Sequence, residues 1–347
     1  MATVVGGLWA AFKYRRKPRC SGCGVPLDTQ NDSRAHIIPN ALGGRLAPKG
    51  IICRSCNTTL GNVADNALID AFGVWPTLLD IPRQQGQNPT KTIDTRNGHR
   101  VRVKADGSST KVDVQYDVAV IPEGHSIQIS AGDMKTIRQL LLKAAKEFPQ
   151  FDPTMAEGHA RTIQDQGDQF KLNLDFSPQA VFGGVSTAIW LYLFLKTNRS
   201  FMDWKSLLAY ITNAQNQGGQ LRYFVEGLPG LRGPQIDLGH KLIVRSVPAT
   251  GELIAYVEIL GILKVGGIFA KSPRPGFALE HIYVHDVRQE TDRSNEFSID
   301  GAEFDRQDWK TVGLSPADAI ALRAHFRKAL EIFIHYYQQR FRATPSA

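Results

Sequence analysis

The sequence predicts an α+β protein in two unequal parts. A small strand–loop–strand–helix module, stapled by cysteines, stands at the N-terminus, and a larger, mainly antiparallel α+β region follows it. Three observations predict this. All four cysteines fall in one stretch, as the pairs Cys20/Cys23 and Cys53/Cys56. Apolar residues recur at helical spacing directly after the second pair. From about residue 99 onward, alternating runs separated by Asn-Gly and Asp-Gly turns dominate, broken by a few apolar or amphipathic helical segments.

The cysteines come first. Two Cys-x-x-Cys pairs with none left over match the tetrahedral, soft-ligand preference of Zn²⁺, so one structural zinc per chain is expected. Two disulfides are the competing assignment, but nothing in the sequence marks a secreted protein, which favours reduced thiols. Between the pairs, His36 sits in the run Ala35-His36-Ile37-Ile38-Pro39, whose β-branched residues predict a strand ending near the histidine. Pro39 and Gly43-Gly44 then force a loop. Ile51-Ile52 form a second short strand that delivers Cys53. Leu60, Val63, Ala64, Ala67, Leu68 and Ala71 mark the helix, placing Asn57 in its first turn. A unit this small cannot bury a full core, so a structural metal is physically sensible.

This arrangement resembles the HNH endonuclease family, which has a ββα-metal fold. The match is to the branch written His-Ile-Ile-Pro, Leu-Gly-Gly, Cys-x-x-Cys-Asn, found here at His36–Pro39, Leu42–Gly44 and Cys53–Asn57. The resemblance implies that His36 is the general base and that Asn57 is a ligand of a catalytic Mg²⁺ or Mn²⁺. It assigns Cys20, Cys23, Cys53 and Cys56 to a separate structural zinc. The sequence departs from the family where an Asp or Glu often precedes the histidine; Ala35 stands there. Lys49-Gly50 replace the middle asparagine, leaving Asn40 as the nearby asparagine to orient His36. The missing carboxylate is sought at Asp65, on the same helix as Asn57, or at Asp32. Eight residues separate Asn57 from Asp65, about 12 Å along a helix axis, so a shared ion requires the helix to break, with Gly61 the place for it.

Charge is distributed to match a DNA partner. The net charge is +8 and the pI about 9.3. Residues 1–62 carry nine basic and two acidic residues, so nearly all the excess lies beside the module. Lys13, Arg15, Arg16, Lys17 and Arg19 lead into the first cysteine pair, and Arg34, Arg45 and Arg54 lie within the module. Such residues bind phosphate by displacing counterions.

The chain is expected to divide into the module (1–75), a Gln-, Asn-, Pro- and Gly-rich linker or long loop (76–98) and an α+β domain (99–347). Asn97-Gly98 and Asp106-Gly107 predict hairpin turns, followed by strand patterns around 112–120 and 125–130. Asp133 opens a helix to about Phe148, and 169–176 reads as a strand. Residues 184–197 are apolar nearly all round, which predicts a buried helix; 201–212 form an amphipathic helix, and 213–219 a loop. Strands are expected at 221–225, 241–247, 253–260, 262–270 and 281–287. A closing helix runs from about Pro316 to Phe341, capped by Ser315, with Leu322, Phe326, Leu330, Phe333 and Tyr337 as its apolar stripe. His281 and His285 share a strand face and read as packed or solvated residues. The Gly-rich run 227–233 lacks the strand-to-helix context of a phosphate loop.

No signal peptide is evident and the apolar runs read as too short to span a bilayer, so a cytoplasmic protein without membrane contact is expected. The function expected is metal-dependent hydrolysis of DNA phosphodiesters. By architecture, the resemblance implies a bacterial restriction or anti-phage effector. The larger region would recognise a substrate feature, respond to a small-molecule or protein activator, or form a homodimer. Two alternatives stay open: a catalytically inactive zinc module that only binds DNA, and a ligand-sensing or scaffold protein.

Overall fold

The computed structural model describes residues 18–84, 86–122, 124–161, 169–171, 174–212, 221–272, 276–306, 309 and 316–342. In the module, β1 (Asp32–Ser33) pairs antiparallel with β2 (Ile52–Cys53), Ser33 opposite Ile52. α1 (Arg54–Leu60) leaves β2 directly. It continues through a π-helical turn (Gly61–Asp65) into α2 (Asn66–Ala71), every junction residue keeping right-handed helical angles. A further short helix, α3 (Trp75–Leu78), follows, with Pro76 in its first turn where a missing N–H costs nothing.

The segment that follows, expected as a linker or long loop, has a buried start and then a strand. Thr77, Leu78 and Ile81 are each 3% exposed or less, and β3 (Lys91–Asp94) begins a three-stranded sheet with β4 (Arg100–Val103) and β5 (Ser109–Lys111). Gly98 and Gly107 turn the hairpins at φ of 83° and 79°. β6 (Gln115–Ile121) and β7 (Gly124–Ser130) form a separate hairpin on which α4 (Met134–Glu147) packs. Asp133 caps α4 by accepting the Thr136 N–H at 2.8 Å. α5 (Pro153–Gly158) follows. The strand expected over 169–176 is not formed by the described residues there, apart from one bridge between Thr95 and Phe170.

α6 (Pro178–Thr197) is the centre of the molecule, with α7 (Trp204–Thr212) beside it. Every residue from Val181 to Leu193 is buried, as an all-round apolar helix requires. It is longer than the apolar run alone predicted, because Pro178 opens it and Asn198, at φ 51°, closes it. By length and composition it could cross a membrane, contrary to the expectation of short runs only. Here 72% of its most apolar window is buried inside the protein.

The remaining strands are β8 (Arg222–Tyr223), β9 (Leu231–Arg232), β10 (Gly239–Val247), β11 (Glu252–Ile259), β12 (Leu263–Lys271), β13 (Glu280–Asp286), β14 (Thr291–Asp292) and β15 (Ser298–Ile299). Six of them form an antiparallel sheet in the order β14-β13-β10-β11-β12-β8, and β9 pairs with β15. α8 (Gly301–Arg306) and the long α9 (Pro316–Arg342) close the chain. Leu322, Ala329 and Phe333 of α9 are buried. Ser315 and residues 213–219 lie outside the described residues.

One face of α6 meets α2 and the π turn; another meets β10, β11 and β12. The approach to α2 is made through glycines. A Cβ on Gly184 would lie 2.6 Å from Leu68 Cβ, and one on Gly183 would lie 3.8 Å from Ala64 Cβ. The Trp75 and Phe333 rings meet at 5.2 Å between centroids. His240 of β10 is fully buried and joins the module to the sheet: its Nε2–H donates to the Leu42 carbonyl at 2.9 Å, and its Nδ1 accepts the Leu260 N–H at 3.4 Å. Burial and the neighbouring His285 push its pKa down to about 3, so the ring is neutral. Module and sheet region therefore share one hydrophobic core.

The tight helix contact carries a prediction. Gly184→Ala should lower the unfolding free energy by about 1–3 kcal/mol through overpacking against Leu68, read by denaturant titration. Unchanged stability would mean the two helices are free to move apart.

Candidate active site in the N-terminal module

The first cysteine pair sits on a tight turn in which the Gly24 N–H donates to the Cys20 carbonyl at 2.9 Å, with Gly24 at φ 74°. The Ser21 N–H donates to the Ile51 carbonyl at 2.8 Å, bringing this turn against β2 and its Cys53. All four Sγ atoms lie within 4.8 Å of one another, with Cys23 and Cys53 3.7 Å apart and no disulfide formed. A tetrahedral zinc with Zn–S of about 2.3 Å requires S–S spacings of about 3.8 Å, so the donor set fits that ion. Cys20, Cys53 and Cys56 are buried and Cys23 is exposed.

Electrostatics lead to the same ion. Burial raises the Cys20 thiol, but backbone N–H groups of Cys53, Cys23 and Gly22 outweigh it and leave the pKa lowered. Burial pushes Cys53 and Cys56 upward, and the adjacent sulfurs push Cys56 further. Four thiolates cannot share this space without a cation to neutralise them. The Trp204 ring covers the knuckle: a Cβ on Gly22 would lie 3.0 Å from both Cys56 Sγ and the Trp204 ring.

Asn57, half-buried in α1, donates from Nδ2 to Ser33 Oγ at 3.1 Å. With its amide nitrogen used this way, its Oδ1 is the atom available to a cation. Ser33 lies three residues before His36, so this bond ties the first helical turn to the strand leading to the histidine. His36 lies just past β1 and is half-buried, between Ala35 at 1% exposure and Ile37 at 1%. The Ile37 N–H donates to the Leu46 carbonyl at 2.9 Å, closing the loop. The glycines serve close approach there. A Cβ on Gly44 would fall 1.8 Å from the Ile38 carbonyl oxygen, and Gly43 has φ of 87° and packs against Val287.

His36 Nε2 lies 2.9 Å from Oε1 of Gln84. The Gln84 backbone N–H donates to Asn40 Oδ1 at 2.8 Å, and its side-chain Nε2 donates to the Arg45 carbonyl at 3.0 Å. Asn40 thus reaches His36 through Gln84 and not directly. Gln84 escaped the sequence reading because it lies in a polar stretch with no periodicity. Only folding of that stretch back onto the loop brings it to the histidine.

Residues 20–73 match the family model described as HNH endonuclease. The N-terminal module is an HNH module. No curated protein and no solved structure matches the chain.

Within this HNH module, the expected carboxylate partners are placed elsewhere. Asp32 accepts the Gly50 N–H through both oxygens, at 2.9 and 3.1 Å, and so holds the loop before β2. Asp65 stands two turns beyond Asn57 on an unbroken helix, about 12 Å along the axis. The break at Gly61 that a shared ion needs does not occur; the helix passes through it as a π turn. Burial alone raises the Asp65 pKa to about 6. Among the described residues, the four cysteines are the one group of three or more His, Cys, Asp and Glu side chains close enough to share a metal.

Of the basic residues, Arg34 and Arg54 are exposed. Arg19 is exposed and donates to the Gly24 carbonyl at 2.9 Å, bracing the knuckle. Arg45 is only 18% exposed and is ion-paired with Glu290, so it is held by the sheet region and not presented to solvent. Lys13, Arg15, Arg16 and Lys17 lie outside the described residues.

Two expectations follow. The full-length protein should bind about one zinc per chain, and Cys56→Ser should abolish stoichiometric zinc and shift Trp204 fluorescence, with metal content read by mass spectrometry. A zinc-free protein of unchanged melting temperature would remove the metal from the fold. For Asp65, the folded pKa lies above the unfolded value, so the folded state holds the proton more tightly. Stability is then greatest below about pH 4 and declines as pH rises through about 6. Asp65→Asn should therefore gain up to about 3 kcal/mol above pH 6 and little at pH 4, measured as stability against pH. An equal effect at both pH values would contradict the burial.

Proposed function

We propose that the protein hydrolyses DNA phosphodiester bonds in its HNH module, with His36 as general base and Asn57 as the protein's ligand to a divalent ion. The observation that carries the reading is the HNH match over residues 20–73, combined with a half-exposed His36 tied through Ser33 to the Asn57-bearing turn.

An imidazole titrates near neutral pH and accepts a proton from water as the water attacks phosphorus. The histidine ring is held at one nitrogen by Gln84, so it does not need to reorganise when the water loses its proton. Asn57 offers one neutral oxygen, and a hard cation held by protein usually needs one or two carboxylates with substrate phosphate. One neutral oxygen without a carboxylate falls short of that set, so substrate phosphate and water oxygens would have to supply the remaining ligands of Mg²⁺ or Mn²⁺. When bound, such an ion supplies positive charge beside the scissile phosphate. Exposed Arg34 and Arg54 flank the β1–β2 pair and offer charge to the DNA backbone. This is support for DNA as the substrate.

Ala35 favours a second reading, a zinc-stapled module that binds DNA without cutting it. The residue is an alanine, 1% exposed, where a carboxylate ligand would stand.

Plasmid nicking in Mg²⁺ or Mn²⁺ separates the two. Wild-type protein should cut and His36→Ala should be slower by about 10²–10⁴-fold, with DNA affinity retained in a mobility-shift titration. Equal cutting by both would remove His36 from the mechanism, and binding without cutting by the wild type would leave the second reading.

A further inference from the structure

We propose that Gln84, outside the matched segment, is the positioning residue of His36. By accepting a hydrogen bond from Nε2 it fixes the tautomer that leaves Nδ1 bare as the proton acceptor. The proposal rests on the reading of His36 as general base.

The argument is one of donors and acceptors. The Arg45 carbonyl lies 3.0 Å from the Gln84 amide nitrogen. A carbonyl oxygen only accepts, so the amide must turn its NH₂ toward Arg45; the flipped orientation would set two acceptors against each other. Oε1 is then the atom presented to His36, at 2.9 Å. An amide oxygen also only accepts, so Nε2 of His36 must carry the hydrogen. In a neutral imidazole the other nitrogen is then unprotonated.

The amide is itself held. The Gln84 N–H donates to Asn40 Oδ1 at 2.8 Å, which fixes its backbone to the turn at residues 40–42. Arg45, whose carbonyl orients the amide, is ion-paired with Glu290 in the turn between β13 and β14. Glu290 has a φ of 54°, a left-handed conformation that a non-glycine residue adopts only where its surroundings hold it. The sheet region therefore reaches the histidine through Glu290, Arg45 and Gln84 in turn. In this chain Gln84 does what the asparagine replaced by Lys49-Gly50 would have done, from a different place in the sequence.

Selective ¹⁵N-histidine labelling of the full-length zinc-loaded protein tests this, with His36 assigned by the signal lost in His36→Gln. In the wild type the neutral His36 ring should show protonated Nε2 and unprotonated Nδ1. Gln84→Ala should give averaged tautomer shifts while keeping its zinc, and should lower kcat on plasmid DNA by about 10- to 100-fold with little change in KM. Gln84→Glu gives up the bond to the Arg45 carbonyl but keeps an acceptor for Nε2 and sets a negative charge beside the ring, so it should move the rise of activity with pH upward by about one unit. A merely structural side chain would move neither the tautomer nor that rise.

A wild-type ring protonated at Nδ1, or a Gln84→Ala protein with unchanged tautomer and kcat, would overturn the assignment. If Gln84→Ala loses its zinc, the wild-type spectrum and Gln84→Glu still decide. Tautomer loss in Gln84→Ala alongside a wild type that does not cut would uphold Gln84 as the orienting group while rejecting the nuclease reading.

Discussion

The whole arrangement depends on how closely α6 approaches the module helix. Gly183 and Gly184 bring its backbone against Ala64 and Leu68, and close contact of this kind is stabilised by many small dispersion terms that any added atom disrupts. Once α6 is seated there, its other face fixes the six-stranded sheet. The sheet in turn fixes His240 under the Leu42 carbonyl and Glu290 beside Arg45. The histidine loop is thus held from outside the module as well as from within it.

Two different kinds of restraint meet at the module. The cysteine cluster ties the knuckle to β2 and the start of α1 and so sets where Asn57 begins its helix. The sheet region sets the loop between the strands, through buried hydrogen bonds whose loss would leave polar groups stranded in hydrocarbon. A small HNH module by itself buries little apolar area, and the metal compensates for that. Here a cysteine cluster that fits a zinc ion is joined to a borrowed core.

The π turn at Gly61–Asp65 has a physical place in this design. It keeps the helix continuous across the glycine that offered a break, and it carries Ala64 to the α6 contact with Asp65 beside it. Burial makes the Asp65 carboxylate costly to ionise, which raises its pKa. It lies about two turns from Asn57 on a continuous helix.

Local chemistry made much of this legible in the sequence. The Cys-x-x-Cys pairs, the helix that begins beside Asn57, the module's strand–loop–strand–helix order and the long strands from Lys241 to Val287 all follow from spacing and period, which are properties of neighbours along the chain. The all-round apolar character of residues 184–197 likewise demanded burial, though not what would cover it. What only the tertiary structure decided are the relations between distant residues. Gln84 sits in a stretch of polar residues with no pattern, Arg45 reads as one more basic residue until Glu290 claims it, and Asp65 reads as a ligand until the helix stays whole. Each outcome turns on which hydrogen-bonding and packing partners the fold delivers, and those partners lie tens to hundreds of residues away, where no local periodicity reaches.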